Sequence, residues 1–81
     1  MNEFFSFRKD PQDNYLVYYE LIPLGVAFQV SPGVWCADCT RNNDWSGKVP
    51  DRLRGMMIGF VDKEHCAFYL YRLWITFSKT G

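Results

Sequence analysis

Cys36-Ala37-Asp38-Cys39 is the motif in this chain best suited to chemistry. A Cys-x-x-Cys turn can hold two thiolates on one metal ion, or form a redox pair in which one thiol is easily ionised. Structural zinc takes four ligands, and the only further thiol or imidazole donors are His65 and Cys66. These two are neighbours in sequence, and neighbours on a strand point to opposite faces. No second Cys-x-x-Cys is present, and no βαβ pattern surrounds the first, as a thioredoxin-like centre would require. Cys36, Cys39 and Cys66 are therefore metal candidates by residue type only. The favoured reading makes them small apolar residues, with no cofactor.

Catalysis is no better supported. His65 is the only histidine, and a Cys–His pair would need it to meet Cys36 or Cys39 across the fold. The carboxylates are scattered, mostly at turn positions where Asp caps local backbone. Gly55 and Gly59 bracket Met56-Met57-Ile58 without the spacing of a phosphate loop; they suit a bulge or a bend. The chain is expected not to be an enzyme.

The polar stretch from Asp38 to Lys48 carries the candidate binding residues. Trp45 sits there among Arg41, Asp44 and Lys48, with Arg52 and Arg54 following closely. Trp and Arg dominate the residues whose loss most weakens protein interfaces. A projecting loop of this composition reads as a binding tip, with Trp74 as a further contact. The opposing reading folds Trp45 back over the end of the sheet with its indole N–H on a carbonyl. Tyr69, Tyr71, Arg72 and Trp74 can also be read as a stacking platform for single-stranded nucleic acid.

The elements that position these residues are read from alternation and turn chemistry. Phe4 to Arg8 is a short strand ending at Asp10-Pro11-Gln12-Asp13-Asn14, a strong turn cluster. Tyr15 to Ile22 reads as a second strand, broken at Pro23-Leu24-Gly25. Val26 to Val30 alternates as a third, and Ser31-Pro32-Gly33 turns the chain into Val34-Trp35-Cys36. Pro50 to Arg54 suits one helical turn, and Met56 to Val61 a strand. His65 to Phe77 is ambiguous. Ala67, Leu70, Tyr71, Trp74 and Ile75 share a helical stripe with Asp62 as an available N-cap. Its Tyr, Phe, Trp, Ile and Thr fit a pleated surface better, and a long final strand is expected.

Composition narrows the function. Nine acidic and nine basic residues cancel, which disfavours a dedicated duplex binder or a polybasic membrane-surface protein. No secretory leader or bilayer-spanning stretch is visible, and an odd count of three cysteines suits a reducing, cytoplasmic setting. Three Trp, five Tyr and seven Phe in 81 residues are more ring surface than so small a globule is expected to hide.

The expected fold is mainly β or α+β: one domain over residues 1–81, an antiparallel sheet or partly open barrel of five to six strands with at most one short helix. The expected function is a non-enzymatic protein-interaction module that binds a larger protein or a second copy of itself. A small inhibitor or adaptor of viral or mobile-element type fits that description. The alternative is a single-stranded nucleic-acid-binding or zinc-stabilised β domain.

Overall fold

The computed structural model of the chain describes residues 4–79; the first three residues and the last two lie outside it. Five strands form one antiparallel meander in the order β1-β2-β3-β4-β5. They are β1 (Phe5–Lys9), β2 (Tyr15–Tyr19), β3 (Ile22–Ser31), β4 (Val34–Asp38) and β5 (Met56–Phe60). One α-helix among the described residues, α1 (Lys63–Trp74), follows and continues into a π-helical segment, Ile75–Lys79. The fold is mainly β with a short helix, as composition and alternation indicate.

Local chemistry explains each junction. Asp10 closes the β1–β2 connection by accepting from the backbone N–H groups of Gln12 and Asn14, each at 2.9 Å. The Asn14 N–H is the main reason this carboxyl sits below its usual range. Glu20 and Leu21 make the next turn, since Tyr19 pairs with Ile22 across it. Glu20 takes a left-handed φ of 56°, a position where Gly or Asn would sit more easily.

Pro23-Leu24-Gly25 does not interrupt the sheet. Those residues lie within β3, beside a register shift at Val17/Tyr18. Proline is tolerated near the start of a strand and next to a bulge, where its missing N–H breaks no regular ladder. Pro50 caps a 3-10 turn at Asp51–Leu53, close to the helical turn expected there.

The expected final strand over residues 65–77 is a helix instead. Asp62 caps its N-terminus, accepting from the His65 N–H at 2.8 Å. From there Cys66, Ala67, Leu70 and Leu73 fall on one buried stripe. The β-propensity of the aromatics is overridden because the stripe covers the apolar face of the sheet.

What lets the helix lie so close is a row of small residues. Gly25 pairs with Val17, and Ala27 pairs with Ala37, on the face beneath α1. A Cβ on Gly25 would stand 2.7 Å from the Asp38 carbonyl oxygen, 3.2 Å from Leu70 Cδ2 and 3.3 Å from Cys39 Cα. With φ at +149°, the position is closed to side chains on backbone grounds as well. Val17, Leu24, Ala27, Ala37, Cys39, Cys66, Ala67 and Leu70 form the fully buried centre of this core.

Most aromatic rings pack around that centre, while Phe4 and Phe68 stay largely exposed. Tyr19 meets Tyr71 at 4.7 Å and Trp74 at 5.9 Å between centroids, while Phe5 meets Phe68 edge-on at 5.3 Å. Lys63 stacks its ammonium over Phe7 at 5.1 Å and Tyr15 at 5.5 Å. The accessible surface, 5034 Å², is close to the ~5,100 Å² expected of a compact monomer of this mass.

Candidate interaction surface

Trp45 does not project from its loop. Only 6% exposed, it joins the core, and its indole N–H donates to the Pro23 carbonyl at 2.9 Å. Asn43 explains the fold-back. Its side-chain amide donates to the carbonyls of Leu24, Cys39 and Arg41, while its oxygen accepts from the N–H groups of Trp45 and Ser46. One side chain therefore gathers the whole loop onto the end of the sheet, with Val49 also buried. The binding tip expected around Trp45 is corrected on that point: its large apolar side chain is structural.

The charged candidates stay outside. Arg41, Asp44, Lys48, Arg52 and Arg54 are exposed, Arg54 pairing with Asp51 along its 3-10 turn. Arg41 and Asp44 flank the Asn43 knot, whereas Arg52 and Arg54 lead directly into β5. Trp74 is half-buried in the aromatic group with Tyr19 and Tyr71. The flat platform expected of Tyr69, Tyr71, Arg72 and Trp74 is not formed, because the segment is helical and its rings pack inward.

Cys36, Cys39 and Cys66 are all buried free thiols. Burial pushes the Cys66 thiol up to about 12 and also raises Cys36, which stands near the Asp38 carboxylate. Asp38 is itself buried and accepts from the Thr40 N–H at 2.9 Å and hydroxyl at 2.6 Å. The raised thiol pKa values of Cys36 and Cys66 oppose nucleophilic attack by either, which needs the thiolate. Among the described residues, no group of three or more His, Cys, Asp or Glu is placed to hold a metal ion. His65 is exposed and bonded to its own helix cap, with Nδ1 at 2.7 Å from Asp62 Oδ1. A depression of about 360 Å³ is lined by Ser6, Phe7, Arg8, Tyr18, Glu20 and Leu21, with no histidine or cysteine among them.

The outer face of the sheet carries a different feature, one that alternation alone did not single out. Arg8, Leu16, Val26, Asp38 and Met56 are register partners in one row; Phe28, Cys36 and Ile58 form the next. The middle of this face is closed, since Val26, Cys36 and Asp38 are buried. Its β5 margin is open: Met56 is 67% and Ile58 64% exposed, with Val61 also exposed just beyond the strand. β5 is an edge strand with no charged residue from Met56 to Phe60, whereas the opposite edge, β1, carries Arg8 and Lys9. Edge strands of soluble proteins usually carry such charges against unwanted pairing, and β5 lacks them. A sequence signal for this strip existed in the uncharged run Met56-Met57-Ile58-Gly59-Phe60. What the run could not reveal was which strand ends the sheet.

The chain matches no protein-family model, no curated protein and no solved structure. No helix among the described residues is long and apolar enough to cross a membrane.

Proposed function

We propose that this protein is a non-enzymatic interaction module that binds another protein chain through the β5 margin. The observation that carries the reading is the exposed apolar strip of Met56, Ile58 and Val61 on an uncharged edge strand. Arg52 and Arg54 stand at its head and supply a polar rim, the arrangement common at protein interfaces. Arg41, Asp44 and Lys48 belong to a neighbouring polar loop and extend the rim rather than anchor it. A strand of this kind recruits partners by adding a strand to the sheet, with main-chain bonds giving affinity and alternate side chains giving selectivity. An adaptor or inhibitor role follows from binding without chemistry.

The test is direct binding of a partner recovered by affinity purification and then made pure. Ile58→Lys is expected to weaken that binding by at least about tenfold, while Leu21→Lys, on an exposed turn, leaves it unchanged. Equal binding by wild type and Ile58→Lys would overturn the reading.

A further inference from the structure

We infer that a cleft at Trp35 binds a planar heteroaromatic ring carrying an anionic group, the chemistry of a purine nucleotide. The cleft opens on the α1 face of the sheet, opposite the Met56 and Ile58 strip, and is independent of the β5 reading.

Its walls are aromatic. The cleft holds about 300 Å³ and is lined by Lys9, Asp13, Tyr15, Gln29 and Trp35. That size lies at the lower end of ligand-binding clefts and suits one ring with its substituent. Strand register assembles it, since Lys9 pairs with Tyr15 and Gln29 with Trp35. Tyr15 and Trp35, both half-buried, meet at 5.8 Å between centroids with their planes 51° apart. Two rings at that tilt form a corner, where a third can stack on one and turn its edge to the other.

The polar groups select the ligand. Trp45 donates its indole N–H to the Pro23 carbonyl. Among the described residues, by contrast, no hydrogen bond engages the Trp35 indole N–H or the Gln29 side-chain amide. A ring with nitrogen and amino groups on its edge answers both, and a glutamine amide matches the N6/N7 edge of adenine.

Charge sets the sign of the substituent. Lys9 Nζ lies 6.0 Å and Lys63 Nζ 5.5 Å from the Tyr15 centroid. They take the place over the ring that a cationic ligand would need, and so favour an anion. Asp13 pairs with Lys9 and Glu64 with Lys63, each at 3.4 Å. Lys9 and Asp13 are both more than half exposed, so their pair is weak and Lys9 can turn to a phosphate. Strand addition is closed to this site, because Tyr15, Gln29 and Trp35 lie on the interior strands β2, β3 and β4.

The experiment is a titration of the full chain with adenosine monophosphate, followed by NMR of the backbone and indole N–H signals. The Trp35 indole signal, assigned through Trp35→Leu, should move with a Kd of about 0.1–3 mM, while that of Trp45 stays. Adenosine should bind at least about threefold more weakly, and ribose phosphate should leave the Trp35 signal in place. Followed through the Lys9 backbone signal, Trp35→Leu should weaken binding at least about fivefold and Gln29→Ala at least about twofold. Circular dichroism checks each fold, and Gln29 is exposed, so its replacement keeps the sheet. A single-stranded oligoadenylate compared at equal base concentration separates two sources of the ring. Tighter binding per base assigns it to a strand and equal binding to a free nucleotide, and both support the site. A Trp35 signal unmoved by about 10 mM adenosine monophosphate overturns the inference. So does equal movement by ribose phosphate, or unchanged binding by folded Trp35→Leu and Gln29→Ala.

Discussion

Gly25→Ala should be among the most damaging single-methyl additions available to this protein. The added Cβ would sit 2.7 Å from a backbone carbonyl oxygen, that of Asp38, which cannot swing aside as a side chain can. It would also press on Leu70 Cδ2 at 3.2 Å, where α1 rests on the sheet. Overpacking of a tight core costs about 1–3 kcal/mol, and forcing a side chain into this glycine-only backbone region adds about 1–3 kcal/mol. Together that is roughly 2–6 kcal/mol, against a total stability of about 4–12 kcal/mol for a chain of this length. Urea unfolding followed by tryptophan fluorescence should show the midpoint falling by more than about 1 M, given a slope near 1–2 kcal/mol/M. Gly47→Ala is the control: nothing lies within 4 Å of its Cβ position, and its stability should stay within about 0.5 kcal/mol of wild type. A Gly25→Ala protein within about 1 kcal/mol of wild type would refute the close helix–sheet approach.

Two further outcomes follow from the loop and the helix cap. Trp45→Phe keeps most of the ring volume but removes the donor to the Pro23 carbonyl, so it should cost about 1–2 kcal/mol in thermal or urea melts. A Trp45 change that left stability intact and altered only partner binding would restore the projecting tip. Asp62→Ala should cost about 1 kcal/mol at neutral pH through loss of the cap. The His65 side chain, then its backbone N–H, holds the Asp62 carboxyl below its ordinary value. Its folded pKa is thus depressed: the stabilisation is complete above the unfolded value, about 3.9, and is lost as pH falls through the folded one. Urea midpoints of wild type and Asp62→Ala should therefore converge as the pH is lowered below about 4, and a constant gap would contradict the assignment.

Much of the sheet was legible because its turns announce themselves. Asp10 to Asn14 and Ser31 to Gly33 carry residues whose backbone preferences make turns, and Tyr15-Leu16-Val17-Tyr18-Tyr19 is unmistakably β in composition. The Glu20–Leu21 turn was not, since neither residue favours one and the left-handed Glu20 is imposed by the strands it joins. Pro23 read as a break for the opposite reason: a strand tolerates it only beside a bulge, which local sequence does not display. The helix was hidden by competing signals. Asp62 and the stripe through Ala67, Leu70 and Trp74 were visible, yet the aromatics between them argued for a strand. What decided the matter was tertiary, a bed of Gly25, Ala27 and Ala37 shaped for a helix. Trp45 carried the same ambiguity, and Asn43, whose bonds fold the loop, looked like any polar loop residue.

The meander order also bears on how the molecule is made. Every strand pairs with its sequence neighbour, so the sheet can zip up hairpin by hairpin without waiting for distant chain. The segment that roofs it, however, is synthesised after all five strands. Until α1 leaves the ribosome, Val17, Ala27 and Ala37 line a bare greasy floor, and the nascent sheet is at its stickiest just before completion.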